Sequence, residues 1–570
     1  MLTVNLLGRP RLERDGETLP GPRGQKSWAL LARVLRSPDP VSRQTLVDEL
    51  FSEADDPMGA LRWTLAELRR RLGLPHALAG NPLRNDLGED VAVDIERAAR
   101  GRFDGSPPEG RFLEGIEVRD SAHFDTWLLV ERLRVDAEVL SGIREATMRA
   151  LERGDTDDAV TLARVMVRRE PLDERPHVLL VKALGASGDA QAAAAQVETS
   201  TAMLTRELGV APTRALRDAA RPRVAVQAQG VSARTTAQTL RTAGLAALSA
   251  GAAEAGLESL RGAAAAAETV GDAALLSECL LELGTAYVHS VHSHDDEGTV
   301  VLGAAVCAAT EAGHQSVAAR ALAELGYVDV LAGRRVTAGR YLERAREVAG
   351  DDVALLATVG SFEGTNLHDS GRLDDAEQAF REAVESSRRS VKARREAWAL
   401  GLGARTLYTL GKFEEAGQWA RQSNEISQVE RWTAFRPWAE AWVAHADLAL
   451  GRDPAHVRMD LESTYAMSCQ LGDACWEGLS AKVMALAFHM QGAHGEAIDW
   501  LRTARASCSR VTDLYMWVQV DIAVTEAEFA RDRGEATLAR DLAETVVNDA
   551  ARFGMDGLLE RATAVSKAVR

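Results

Sequence analysis

The sequence predicts a mainly α-helical chain, in which a small N-terminal unit of strands and three helices precedes a long array of antiparallel helical hairpins. Three observations carry this. Apolar residues recur at helical spacing in WALLARVLR and ALRWTLAELRRRLG; apolar and polar residues alternate, as in strands, over residues 2 to 19; and glycines followed five residues later by alanine recur through the rest of the chain. At 570 residues the chain exceeds what one hydrophobic core serves. The formal charge of −17 argues against a protein that coats nucleic acid or anionic membrane along its length, but the charge is uneven. Residues 1 to 74 hold 12 Lys and Arg against 10 Asp and Glu, a net of +2, so the rest carries −19.

The N-terminal alternation turns at Asp15-Gly16, a hairpin signal, with Leu2, Val4, Leu6 and Leu12 facing inward. After Gly21-Pro22 comes the first helix, stopped by Ser37-Pro38-Asp39-Pro40. Ser42 caps a short helix, RQTLVDELF, and Pro57 opens a third at a position where its missing N–H costs little. NPLRNDLGEDVAVDI then reads as a closing hairpin turning near Asp86-Leu87-Gly88. This order describes a winged helix-turn-helix, whose last helix enters the DNA major groove.

In that third helix Leu61, Leu65, Leu68 and Leu72 line one face. The residues assigned to the DNA-binding surface are Arg62, Trp63, Glu67, Arg69 and Arg70, with Lys26 and Arg43 beside them. Arginines there would reach guanine edges or phosphates. From this helix alone a solvated face accounts for the arginines equally well, and packing accounts for Trp63 better than base reading.

By position and pattern, LLGRPRLERDGETLPGPRGQKSWALLARVL, PVSRQTLVDELF and ALRWTLAELRRRLG resemble the OmpR-type winged helix at the head of SARP regulators, the antibiotic regulatory protein family of actinobacteria. FLEGIEVRDSAHFDTWLLVERLR, EPLDERPHVLLVKAL and LTRELGVAPTRAL resemble the bacterial transcriptional activator domain that follows it in that family. The resemblance implies promoter DNA and RNA polymerase as partners, activation at direct repeats, and hence two protomers on DNA. The wing departs from the pattern: Asp86, Glu89, Asp90 and Asp94 stand against Arg84, an acidic surface where a phosphate contact is expected.

The glycine–alanine pairs are Gly154/Ala159, Gly188/Ala193, Gly333/Ala338, Gly371/Ala376, Gly411/Ala416, Gly492/Ala497 and Gly534/Ala539. Glycine lets the chain turn between two antiparallel helices, and the small alanine lets the second lie close against the first. The interval from 154 to 188 is 34 residues, the tetratricopeptide period; later units step by about 40. Gly451 has His456 in place of alanine and fits less well. With two weaker units near Gly251 and residue 293, about eight units follow the linker. The expected organisation is a winged helix over 1–100, an activator domain over 101–222, a basic, small-residue linker over 223–239 and a tetratricopeptide-like array over 240–570.

Neither GxxxxGK[ST] nor GxSxG, HExxH or GxGxxG in a strand-to-helix setting is present; Gly411-Lys412 is followed by Phe413. No catalysis and no cofactor are expected. Cys279, Cys307, Cys469, Cys475 and Cys508, odd in number and without a CxxC pair, read as reduced core thiols of a cytoplasmic chain, and no apolar run is long enough for a membrane span. His289, His292, His294, Asp295, Asp296 and Glu297 are metal-ligand types, but their spacing matches no site pattern and a polar turn between repeat helices is the preferred reading, with no metal. Trp432, Trp438, Trp442 and Trp476 are the candidates for binding an unknown protein or small-molecule ligand in the array's concave surface, against the alternative that they pack the core.

Overall fold

The computed structural model describes the chain apart from residues 38, 89, 104–106, 109, 119–120, 209–211, 214–215, 217–218, 220–232, 250–252, 290–294, 512–514 and 570. It forms two compact units, Met1–Ala146 and Thr147–Arg570. The division falls inside the stretch expected as one activator domain.

In the first unit a four-stranded sheet has the order β3-β2-β1-β4, with β1 Leu2–Asn5, β2 Arg11–Arg14, β3 Glu17–Leu19 and β4 Val91–Val93. The β2–β3 hairpin turns at Asp15 and Gly16, both at positive φ, and Leu2, Val4, Leu6 and Leu12 are buried as the alternation requires. The closing hairpin expected over residues 81–95 is not what the chain forms. Val91–Val93 pairs parallel with β1, and Leu83 bridges to Val41. The half-buried Asp94 carboxylate accepts the backbone N–H groups of Leu6, Leu7 and Ile95 and so helps to pin the strand beside β1.

Three helices lie between β3 and β4: α1 Gln25–Leu35, α2 Arg43–Leu50 and α3 Pro57–Leu72. The unit also holds α4 Asp94–Ala99 and most of α5, Ala122–Glu152. Arg36, at the end of α1, binds Glu131 and Glu138 of α5 at 2.6 Å each. Gly142 lets α5 approach α4 so closely that a Cβ there would lie 1.9 Å from the Ala98 carbonyl oxygen.

The second unit begins with α6 Thr156–Arg169, α7 Glu174–Ala186 and α8 Ala190–Leu208, then runs as helix pairs. These are α9/α10 (Ala233–Ser249, Ala253–Val270), α11/α12 (Ala273–His289, Asp295–Glu311), α13/α14 (Gln315–Leu331, Arg335–Ala349) and α15/α16 (Val353–Asp369, Leu373–Arg389). There follow α17/α18 (Ala393–Thr409, Phe413–Val429), α19/α20 (Arg436–Ala449, Pro454–Leu471), α21/α22 (Ala474–Met490, His494–Cys508) and α23/α24 (Met516–Asp532, Ala536–Arg552), with α25 (Asp556–Ala568) last. Among the described residues this makes eight pairs, a helical solenoid of tetratricopeptide-like repeats. Helix α9 begins inside the stretch read as linker, because TTAQTLRTAGLAAL continues a helical pattern that the small, basic composition obscures; residues 223–232 lie outside the described residues.

The repeat signature has the predicted physical basis. Gly333, Gly371, Gly411, Gly492 and Gly534 all take positive φ between paired helices, and Ala338, Ala376, Ala416, Ala497 and Ala539 are buried. In the weak unit, Pro454 starts the second helix and Val457 is buried in place of His456. Gly333 and Gly371 are needed twice over, since side chains there would meet the Phe553 ring at 2.7 Å and the Gly557 backbone at 3.0 Å. No described helix is long and apolar enough to cross a membrane.

Candidate nucleic-acid interface

Helix α3 is closed at both ends by its sequence. Asp56 caps it, accepting the Gly59 N–H at 2.8 Å; Pro57 opens it; and Gly73 ends it in a left-handed conformation. Leu61, Leu65, Leu68 and Leu72 are buried, fixing one face of α3 into the core. The opposite face presents Arg62, Trp63, Ala66 and Arg70 to solvent. The Arg62 and Arg70 side chains are 65% and 68% exposed and lie 3.8 Å from Asp56 and 3.7 Å from Glu67. The Arg62–Asp56 pair is exposed on both sides and contributes little, and the Arg70 guanidinium, though set against the buried Glu67 carboxylate, is itself turned to solvent, so both can meet an external anion.

Two of the residues assigned to this surface belong to the fold instead. Glu67 is buried and accepts the Arg23 N–H at 3.2 Å, with Arg70 and Arg71 against its carboxylate. Arg69 donates Nε to the Ala77 carbonyl at 2.7 Å and Nη2 to that of Leu78 at 2.6 Å, tying down the turn after α3. Arg43 has a part of the same duty: its backbone N–H and Nε reach Asn81 Oδ1 at 3.0 Å and the Gly80 carbonyl at 2.9 Å. Lys26 lies over the Phe51 ring at 5.6 Å. Trp63 departs from the packing expectation in the other direction, being 60% exposed. Of the acidic wing residues, Asp86 accepts the Leu78 N–H and Asp94 the three amides above, while Glu89 lies outside the described residues.

The aromatic candidates in the array pack its core. Trp438 is fully buried and donates Nε1 to the Gly401 carbonyl at 2.8 Å; Trp442 is buried and stacks on His445 at 4.6 Å. Trp432 is half-buried between Trp398 and Phe435, and Trp476 lies against Trp438 while donating Nε1 to the Ala434 carbonyl. As they stand, Trp438 and Trp442 cannot meet a ligand. Alternation of the repeat helices turns both inward, against residues of neighbouring units that sequence spacing does not reveal.

Beside these rings sits a charged cluster that motif reading missed. Asp369 holds Arg335 and Arg405 at 2.9 Å each and accepts the Tyr515 hydroxyl at 2.9 Å, while Arg405 Nη1 donates to that hydroxyl at 2.5 Å. The Arg405 guanidinium lies 4.3 Å from the centre of the Trp517 ring. Burial, reinforced by Arg405 and Arg335, holds His368 well below its ordinary pKa; burial and Lys482 do the same to His445. Residues this far apart in sequence carry no local signal.

Among the described residues no group of three or more His, Cys, Asp or Glu is placed to hold a metal ion. His289 closes α11 and pairs with Glu324 at 2.8 Å, Asp295, Asp296 and Glu297 open α12, and His292 and His294 lie outside the described residues. Among the described residues no two cysteines are joined in a disulfide, and Cys307 and Cys469 are exposed rather than in the core.

Residues 92–222 match the family model of the bacterial transcriptional activator domain. The chain is also similar to the solved structure of Mycobacterium tuberculosis EmbR in complex with a low-affinity phosphopeptide, at 20% identity and a TM-score of 0.30 over 38% of this chain and 64% of that one. It thus spans just under two thirds of that EmbR structure. Aspartyl phosphate phosphatase F from Bacillus subtilis matches at 13% identity and a TM-score of 0.34, over 72% of this chain and 94% of that one. The apo quorum sensor NprR from B. thuringiensis matches at 12% identity and 0.37, over 65% and 99%. No curated protein sequence matches the chain. The resemblance to SARP-type regulators is borne out in its activator domain and in the repeats that follow.

Proposed function

We propose that this chain is a cytoplasmic, DNA-binding transcriptional regulator of the SARP type, and that helix α3 enters the major groove of promoter DNA. The observation that carries this is the exposed Arg62–Trp63–Ala66–Arg70 face, backed by four buried leucines, on the helix ahead of a bacterial transcriptional activator domain. Such a helix is held rigidly by one face while the other offers two guanidiniums to phosphate or guanine.

The regulator acts as an activator, recruiting RNA polymerase, with two protomers at direct repeats. It is a regulatory protein and not an enzyme. Its array receives a protein or small-molecule signal by favouring one arrangement over another, which requires different affinities for the two states. Because Trp438 and Trp442 are core residues, the signal does not enter through those rings.

The test is selection of random DNA duplexes on the full-length chain, followed by affinity measurement on the enriched sequence. Enrichment of one motif by the wild type, lost in the variant carrying both Arg62→Ala and Arg70→Ala, supports the reading. Absence of any enriched sequence overturns it and favours a protein-interaction scaffold whose N-terminal unit has no DNA.

A further inference from the structure

On the DNA-binding reading just given, we infer that Trp63 reads thymine, through apolar contact between its indole and the C5-methyl group in the major groove. Trp63 is 60% exposed, while every leucine of the same helix is buried. Among the described residues its indole has neither a ring partner nor a hydrogen bond.

At about 100° per residue, Gly59, Arg62, Trp63, Ala66 and Arg70 fall within one arc of roughly 100°. Gly59 and Ala66 contribute no more than a methyl, so the indole and the two guanidiniums are the groups that project from this face. Their chemistry divides. The guanidiniums suit phosphate oxygens and the acceptor edge of guanine, whereas a large, mostly apolar ring presented to water gains most where it covers another apolar group. Base edges in the major groove are otherwise donors and acceptors, and the thymine methyl is the apolar group among them. The partner implied is therefore duplex DNA with thymine in the half-site, placed beside the positions that Arg62 and Arg70 contact.

The experiment takes the duplex enriched by selection on the full-length chain and replaces its thymines, one at a time, by deoxyuridine. This removes the methyl and leaves every hydrogen-bonding edge and the protein unchanged. The expected result is one thymine per half-site whose replacement weakens wild-type binding roughly fourfold, the worth of one buried methyl group. Trp63→Ala should bind the unmodified duplex more weakly and lose sensitivity at that same thymine, with thermal stability unchanged. If no thymine is sensitive, or if Trp63→Ala keeps the wild-type sensitivity, the inference is overturned while DNA binding by α3 stands. If no duplex is enriched at all, it is the DNA-binding reading that fails.

Discussion

Asp369→Ala tests whether the array is held by the buried cluster at its interior. In the wild type one carboxylate neutralises Arg335 and Arg405 and accepts the Tyr515 hydroxyl, joining the end of α15 to a residue 146 positions later, next to α23. Removing it leaves two guanidiniums out of water without their counter-charge. Breaking a buried ion pair from one side costs about 3–5 kcal/mol, because the remaining charge stays desolvated. Tyr515→Phe removes only a hydrogen bond to a charged acceptor and should cost about 1.5–3 kcal/mol. The two losses overlap, since Asp369→Ala already deprives the hydroxyl of its acceptor, so the double variant should fall short of their sum. A chain of two compact units does not unfold in one step, so the suitable assay is native-state hydrogen exchange on the full chain. Amides of α15, α17 and α23 should lose about 3–5 kcal/mol of protection in Asp369→Ala, with those of Met1–Ala146 unaffected. Protection unchanged in these three helices would refute the argument that this cluster holds the repeats together.

Trp438→Ala, at a fully buried site, should destabilise the array by about 3–5 kcal/mol, whereas a ring serving only a ligand would leave protection by hydrogen exchange unchanged. Arg69→Ala should lower the thermal stability of the N-terminal unit by removing two hydrogen bonds to the turn after α3, and a variant with wild-type melting and weakened DNA binding would restore Arg69 to the interface. His368 and His445 are held neutral in the fold, their pKa values well below the ordinary imidazole value of 6.5, so acid protonates the unfolded chain first and stability falls as pH drops through 6.5 toward their folded pKa values. The slope should approach about 1.4 kcal/mol per pH unit for each histidine, read from melting against pH, and should flatten in His368→Gln/His445→Gln; a flat wild-type profile would contradict it.

Where function and fold depend on short-range pattern, the sequence was readable. The leucine stripe of α3, its caps and the Asp15-Gly16 hairpin are set by residues within one or two turns of each other. So are the glycine–alanine pairs, whose conformational and steric demands recur in every unit. What escaped depends on contacts at long range. Nothing local distinguishes Arg62 from Arg69, yet one points to solvent and the other is bound by the carbonyls of a turn eight and nine residues on. The parallel pairing of Val91–Val93 with β1 is helped by Asp94, which finds an amide donor 88 residues back. Asp369, Arg405 and Tyr515 look like ordinary surface residues of separate repeats until the solenoid brings them together. Trp438 and Trp442, one turn apart on a helix, were equally consistent with a groove or a core, and only the burial of that helix by its neighbours decides.

The most direct measurement of the central claim is the salt dependence of binding to the selected duplex, compared between the wild type and Arg70→Ala. If Arg70 meets a phosphate, the variant should bind every sequence more weakly and the slope of log K against log salt should shrink by about 0.9. Wild-type affinity and slope in Arg70→Ala, and again in Arg62→Ala, would contradict the placement of α3 on DNA.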